Sequence, residues 1–226
     1  MSLIHGGKPI VTDGLVLCLD GGNPKSYPGS GTTWTDLSGN GNNGTLTNGP
    51  TYSSANGGSI VFDGVNDFIN GVHNAQLNIT GDITVECWFR VTNTRSDWVR
   101  IFGKGNSANR TVGLWYNQPS SVFLYQRYGT SNMNAQYNAT VSLNTWYHMV
   151  GTSSSNNHTL YLNNVVRGTS TTGTTFASST DPYKVGYGSI HTYHIGNVSN
   201  CRIYNRALTP QEIQQNYNAL KGRFLT

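Results

Sequence analysis

The chain has 226 residues and a formal net charge of +4, with 11% charged and 11% aromatic residues. A length of this order suits one all-β domain with a sizeable core, and the aromatic content excludes a disordered chain. No apolar run approaches membrane-spanning length, so membrane insertion is not expected.

In chain order, residues 1–13 (MSLIHGGKPIVTD) read as an N-terminal tail or anchor and residues 14–226 as the domain. The start lacks a cationic segment followed by a long apolar run, so folding in a cytoplasm is the expectation. GLVLCLD (14–20) is the first predicted strand, and TWTDLSGNGNNGTL (33–46) follows it. This second stretch has no phosphate-loop lysine, and no helix signal follows it. Asp36, Ser38, Asn40 and Gly41 match the start of an EF-hand loop, but Thr47 stands where the bidentate glutamate belongs. Its Ser-Gly and Asn-Gly pairs predict a turn instead.

GSIVFDG (58–64), DITVECWFRV (82–91), VRIFGKG (99–105), TVGLWYN (111–117), SVFLYQRYG (121–129), NTWYHMVGTS (144–153), HTLYLNN (158–164), YKVGYGS (183–189) and NVSNCRIYN (197–205) also read as strands. They are rich in β-branched and aromatic residues and bounded by Gly, Asn, Ser or Pro. Strands this frequent, with almost no helical periodicity, predict a sandwich of two antiparallel sheets. In DITVECWFRV, alternation sends Ile83, Val85, Cys87, Phe89 and Val91 to the core and Thr84, Glu86, Trp88 and Arg90 to the other face. Cys18, Cys87 and Cys201 are odd in number, sit among apolar residues and lack zinc or redox spacing, so they read as buried free thiols. One short helix is predicted over TPQEIQQNYNALKG: Thr209 caps it, Pro210 opens it, Glu212 completes a capping box and Gly222 stops it. Ile213, Tyr217 and Leu220 form the stripe that docks it.

GLVLCLDGGNPKSY, WTDLSGNGNNGTL, GGSIVFDGVNDFI, ITVECWFRV, NTWYHMVGTSS with LYLNN, and NVSNCRIYNRALTPQEIQQNYNA occur in this order, from about Gly14 to Leu220. Together they resemble the laminin-G-like branch of the concanavalin A-like lectin/glucanase superfamily. The resemblance implies an all-β jelly-roll sandwich of two antiparallel sheets with one concave face and a short C-terminal helix. It leaves function open, because the fold hosts lectins, adhesion modules, glycosidases and structural proteins. It also raises a structural calcium, with Asp20 in the first strand and Asn200 in the last as ligands; an amide there binds more weakly than a carboxylate.

Glycosidases need two carboxyl groups about 5 to 10 Å apart. The only glutamates are Glu86 on a strand and Glu212 in the capping box, and the acidic cluster of the superfamily's glucanases is missing, so no catalytic residue is assigned. Asp63 and Asp67 suit turn hydrogen bonds or a metal, and His191 and His194 in HTYH lack a third ligand. The strongest expectation is carbohydrate binding by Glu86, Trp88 and Arg90 on one face, joined by Trp115, Tyr125 and Arg127, which share parity in the next hairpin. The run from position 90 to 127 is locally basic, with Arg90, Arg95, Arg100, Lys104, Arg110 and Arg127 against Asp97. Sequences of this appearance are typical of phage virion proteins. The expected placement is therefore a virion surface, as a capsid decoration, fibre or tail-associated protein. The expected partners are other virion proteins through the tail and a host-surface glycan, with oligomerisation open and nucleic acid not expected. The alternatives are a carbohydrate-binding or adhesion module of a bacterial surface protein and, below it, a glycoside hydrolase.

Overall fold

The computed structural model describes residues 9–106, 110–129, 132–173, 175–188 and 192–225. Their strands, numbered in chain order, form two antiparallel sheets of eight. Sheet A contains β1 (Leu15–Asp20), β4 (Thr51–Ser53), β5 (Ser59–Asp63), β7 (Ile83–Val91), β12 (Trp146–Ser154), β13 (Asn157–Leu162), β14 (Val165–Ser170) and β16 (Ile195–Tyr204). Its order is β14-β13-β12-β7-β16-β5-β4, with β1 also paired to β16. Sheet B contains β2 (Thr33–Trp34), β3 (Gly44–Thr47), β6 (Phe68–Asn70), β8 (Val99–Lys104), β9 (Val112–Asn117), β10 (Val122–Arg127), β11 (Met133–Asn138) and β15 (Tyr183–Val185). Its order is β11-β10-β9-β8-β15-β6-β3-β2. The ten segments predicted as strands all contain strand. β2, β3, β4, β6, β11 and β14 fall outside them because they are short or, like NAQYN in β11, largely polar.

The inward faces of the two sheets form one core that includes Leu17, Leu19, Val85, Cys87, Phe89, Leu114, Tyr116, Phe123, Met149 and Ile203. The alternation read in β7 holds. All three thiols are free and buried, with Cys87 and Cys201 directly paired across β7 and β16.

The Gly- and Asn-rich stretch is a turn, and its polar side chains satisfy one another. The Asp36 carboxylate accepts from the backbone N–H groups of Cys18, Ser38 and Asn42, and Asn42 Nδ2 donates to the Val16 carbonyl. With those donors in place, Asp36 is a backbone staple to β1, not a cation ligand. Asp63 and Asp67 likewise bind turn N–H groups, of Val65 and of Asp63.

The helix α1 (Pro210–Leu220) has its capping box, with Thr209 and Glu212 exchanging hydrogen bonds, and lies on the outer face of sheet A. Val11, Tyr204, Leu208 and Ile213 pack together at one end, and the Val11 N–H donates to Asn216 Oδ1 at 2.8 Å. Gln215 donates to the Pro9 carbonyl. Residues 9–13, read as part of a tail, are therefore docked on the domain through α1. Among the described residues, no helix is long and apolar enough to cross a membrane.

Candidate functional site

The two sheets turn different chemistry outward. On sheet A, Glu86, Trp88 and Arg90 do share a face, but that face is covered. Glu86 is fully buried; its carboxylate accepts from Arg202 Nη1 and from Asn216 Nδ2 of α1, and His148 Nε2 lies 3.3 Å away. Burial pushes the Glu86 pKa up, but the Arg202 charge, the His148 contact and the Asn216 hydrogen bond outweigh it and hold it at about 2. Trp88 is also fully buried, with His148, Tyr217 and Phe224 stacked on it at ring separations of 4.9, 5.6 and 4.4 Å. Arg90 donates twice to Asn197 Oδ1 and covers the Trp146 ring. The expectation that these three face a sugar is corrected, because α1 and Phe224 cover the face.

The second set is divided. Trp115 is opposite Leu124 in the β9–β10 pair, so the even-numbered residues of β10 share its face while Tyr125 and Arg127 point inward. Tyr125 is fully buried and hydrogen-bonded to Ser153 Oγ at 2.6 Å, which meets His158 Nδ1 at 2.8 Å. His158 Nε2 contacts the Thr172 carbonyl, so that nitrogen carries the proton and Nδ1 accepts. This Tyr-Ser-His chain has no solvent-facing member. Arg127 donates to the Ile79 and Gly81 carbonyls, and its guanidinium lies over Phe176. The parity read from numbering fails because the hairpin register offsets it by one.

Asp20 and Asn200 are directly opposite across β1 and β16, as a shared site would require. Asp20 Oδ1 accepts from the Gly22 N–H and from Arg223 Nη1, each at 2.9 Å. Arg223 Nη2 donates to the Gly57 and Gly58 carbonyls and to Ser199 Oγ. Asp20, Gly57, Gly58 and Ser199 thus turn their oxygens to a guanidinium, so Asp20 does not fit the metal with Arg223 seated, while the buried Asn200 amide has no hydrogen-bond partner. Among the described residues, no group of three or more His, Cys, Asp or Glu could hold a metal ion. His194 is buried in the core; His191 lies outside the described residues.

Among the described residues, no helix covers the outer face of sheet B, although Arg100, Trp115 and Leu124 at its centre are buried. A bulge between Arg100 and Phe102 in β8 turns Val99 and Phe102 inward and leaves Arg100 outward beside Trp115. Gly103 and Gly113 are paired on the same outward face, and a Cβ at Gly113 would stand 2.4 Å from Trp115 Nε1 and 3.2 Å from Arg100 Cδ. A side chain at Gly113 would occupy the space these two groups use. Gly188, in the connection after β15, abuts both Trp115 and Arg100. Arg100 and Arg110 each lie over the Trp115 ring, at 5.6 and 5.5 Å, and Arg110 also lies over Tyr128 at 5.0 Å. Arg100 Nε donates to the Tyr187 carbonyl, which joins this group to a half-exposed aromatic strip. In the strip, Tyr187 and Tyr193 stack at 4.3 Å with 8° between planes, Phe68 lies 5.7 Å from Tyr187, and Lys184 covers both Phe68 and Tyr187.

The linear basic run is therefore not one patch. Arg90 is on sheet A; Arg95 donates to the Gly64 and Tyr193 carbonyls; Lys104 and Arg127 point inward and donate to carbonyls; Arg100 and Arg110 alone of the run meet over Trp115. Phe68, Tyr187, Tyr193 and Lys184 went unselected in the sequence. The available signal was glycine inside two strands, VRIFGKG and TVGLWYN, which marks close approach of other groups.

Solved structures share this fold at low identity. The chain superposes on Trypanosoma rangeli sialidase with TM-score 0.70 and 17% identity, covering 100% of this chain and 37% of that one. On the binding domain of Paraclostridial Mosquitocidal Protein 1 the values are 0.73 and 18%, over 92% and 52% of the two chains. On domain 4 of AbnA, a GH43 extracellular arabinanase from Geobacillus stearothermophilus solved with arabinotriose, they are 0.71 and 16%, over 90% and 98%. The chain thus spans about a third of the sialidase chains it matches. No curated protein matches it in sequence. A laminin-G family model described as concanavalin A-like lectin/glucanases superfamily matches residues 62–214, and with two eight-stranded antiparallel sheets and one C-terminal helix in place, the chain belongs to that family.

Proposed function

We propose that this chain is a non-catalytic lectin-like domain that binds carbohydrate on the outer face of sheet B and is displayed on a virion surface. The observation that carries the glycan reading is the half-exposed strip Phe68–Tyr187–Tyr193, set beside the guanidinium-bearing Trp115. Aromatic faces accept the apolar faces of sugar rings, and exposed polar groups on the sheet, Asn134 and Asn70 among them, match hydroxyls. The non-catalytic part is supported by the use of both glutamates elsewhere: Glu86 with Arg202, and Glu212 with Arg206 and Thr209. Three reduced thiols folded into the interior suit assembly in a cytoplasm, which supports the virion part, with attachment to other virion proteins through the segment before Pro9. The second reading is a carbohydrate-binding module of a bacterial surface protein, favoured by the match to nearly the whole of the arabinanase domain.

A glycan and bacterial-polysaccharide array tests the glycan reading. Selective binding lost in Arg110→Ala and kept in Arg90→Ala supports it, whereas silence on the array or equal loss in both variants overturns it. An antibody to the chain that fails to label intact particles overturns the virion placement.

A further inference from the structure

We infer that the ligand on the sheet B face is an anionic glycan, whose carboxylate, sulfate or phosphate group sits between Arg110 and Lys184 above Arg100. This rests on the glycan reading above and names its ligand class. Most exterior or interior cations elsewhere in the molecule have oxygen partners: Arg202 has Glu86, Arg206 has Glu212 and Asp13, Arg223 has Asp20, and Lys104 has two carbonyls. Arg110 and Lys184 differ, and Arg100 beside them has carbonyls alone. No carboxylate among the described residues forms an ion pair with any of them, Asp181 acting on Lys184 only at longer range; Arg100 and Arg110 share the Trp115 ring, and Arg100 is joined through the Tyr187 carbonyl to the residue whose ring Lys184 covers.

Arg100 supplies the second, independent observation. It is fully buried, two of its nitrogens donate to the Tyr187 and Gly105 carbonyls, and its Nη1 is buried without a hydrogen-bond partner. A guanidinium is ionised at any physiological pH. Burial pushes Arg100 down to about 10, with Tyr128 raising it and Arg110 lowering it further, so it remains a cation near neutrality. Like charges gathered in a poorly solvated place repel, and an arriving anion removes that repulsion as well as making its own contacts. The half-buried Arg110 and Lys184 are the groups an anion can reach, and Arg100 beneath them adds field. The part-exposed rings of Phe68 and Tyr187 beside Lys184 give the sugar of the same ligand a surface to lie on, while Trp115 and Tyr128 under Arg110 are buried.

The test compares polymers that differ only in charge: dextran sulfate with dextran, and polygalacturonate with its methyl ester, by titration calorimetry on the whole chain. The charged member of at least one pair is expected to bind about tenfold or more tightly than its neutral partner, and to weaken as salt rises from about 50 to about 500 mM. Arg110→Gln and Lys184→Gln are expected to erase that preference, while Lys25→Gln, which removes the same charge from an exposed site elsewhere, keeps it. Equal loss in Lys25→Gln makes the effect one of net charge and overturns the inference. Equal binding of charged and neutral polymers, unchanged in Arg110→Gln, overturns the inference and leaves glycan binding standing. No binding to any polymer, together with a silent array, overturns both.

Discussion

The outer faces of the two sheets carry similar residues, arginine with tryptophan and tyrosine, yet their charges are partnered differently. On sheet A the charge is closed: Arg202 meets Glu86, Asn216 fills the remaining carboxylate oxygen, and Trp88 lies under Tyr217 and Phe224. On sheet B the guanidinium groups of Arg100 and Arg110 share an indole with no carboxylate paired to them among the described residues. Residue type therefore says little about role here. What separates the two faces is whether a counter-charge comes from the same chain.

The largest effect that would break this comparison is on stability. Glu86→Ala leaves the buried Arg202 without its partner and is expected to cost about 3–5 kcal/mol, read by chemical denaturation. Arg110→Ala, at a half-buried site with no ion pair, is expected to cost less than about 1 kcal/mol. Similar costs for the two would mean that sheet B's cations are structural as well.

Next in size is acid sensitivity, which separates both faces from the core between them. Burial lowers His194 from 6.5 to about 4, so between those values the unfolded chain binds a proton that the folded chain does not. Stability from this group is complete above pH 6.5 and falls as the pH drops toward 4, by about 3 kcal/mol in all. Glu86 behaves otherwise: held at about 2 against an ordinary 4.5, it contributes above pH 4.5 and loses that contribution only as the pH falls toward 2. Melting curves across this range should therefore show the first loss beginning near neutrality. A His194→Gln variant that retains the early acid loss would place its origin elsewhere.

The smallest effect is a chemical one. Cys18 shares the covered face with Arg202, and burial pushes its thiol up to about 11. A thiol reagent at pH 8 is expected to label no cysteine in the native protein and all three after denaturation. Rapid labelling of Cys18 in the native state would show that β1 and the turn held by Asp36 open readily.

The sandwich was legible because its central strands are long and apolar on at least one face; β7 and its alternation are the clearest case. The helix was legible from its cap and stripe, although Asn216, a polar residue in that stripe, gave no hint that it anchors both Glu86 and Val11. The site was less legible for two physical reasons. Parity along a strand tells which residues share a face, not whether another element covers it, and so Glu86 and Trp88 were misread. Across a hairpin, parity depends on a register the turn sets, and so Tyr125 and Arg127 were placed with Trp115. A bulge in β8 adds a third shift, sending Phe102 and Lys104 inward after Arg100 has pointed out.

The docking of Pro9 and Val11 onto α1, with Phe224 stacked over Trp88 and Trp146, brings both ends of the described chain to the same side of the sandwich. The domain is thereby polar in the mechanical sense. A tether attached next to Pro9 or Phe224 would pull from the sheet A side and leave the face bearing Phe68, Tyr187 and Arg110 turned away from it.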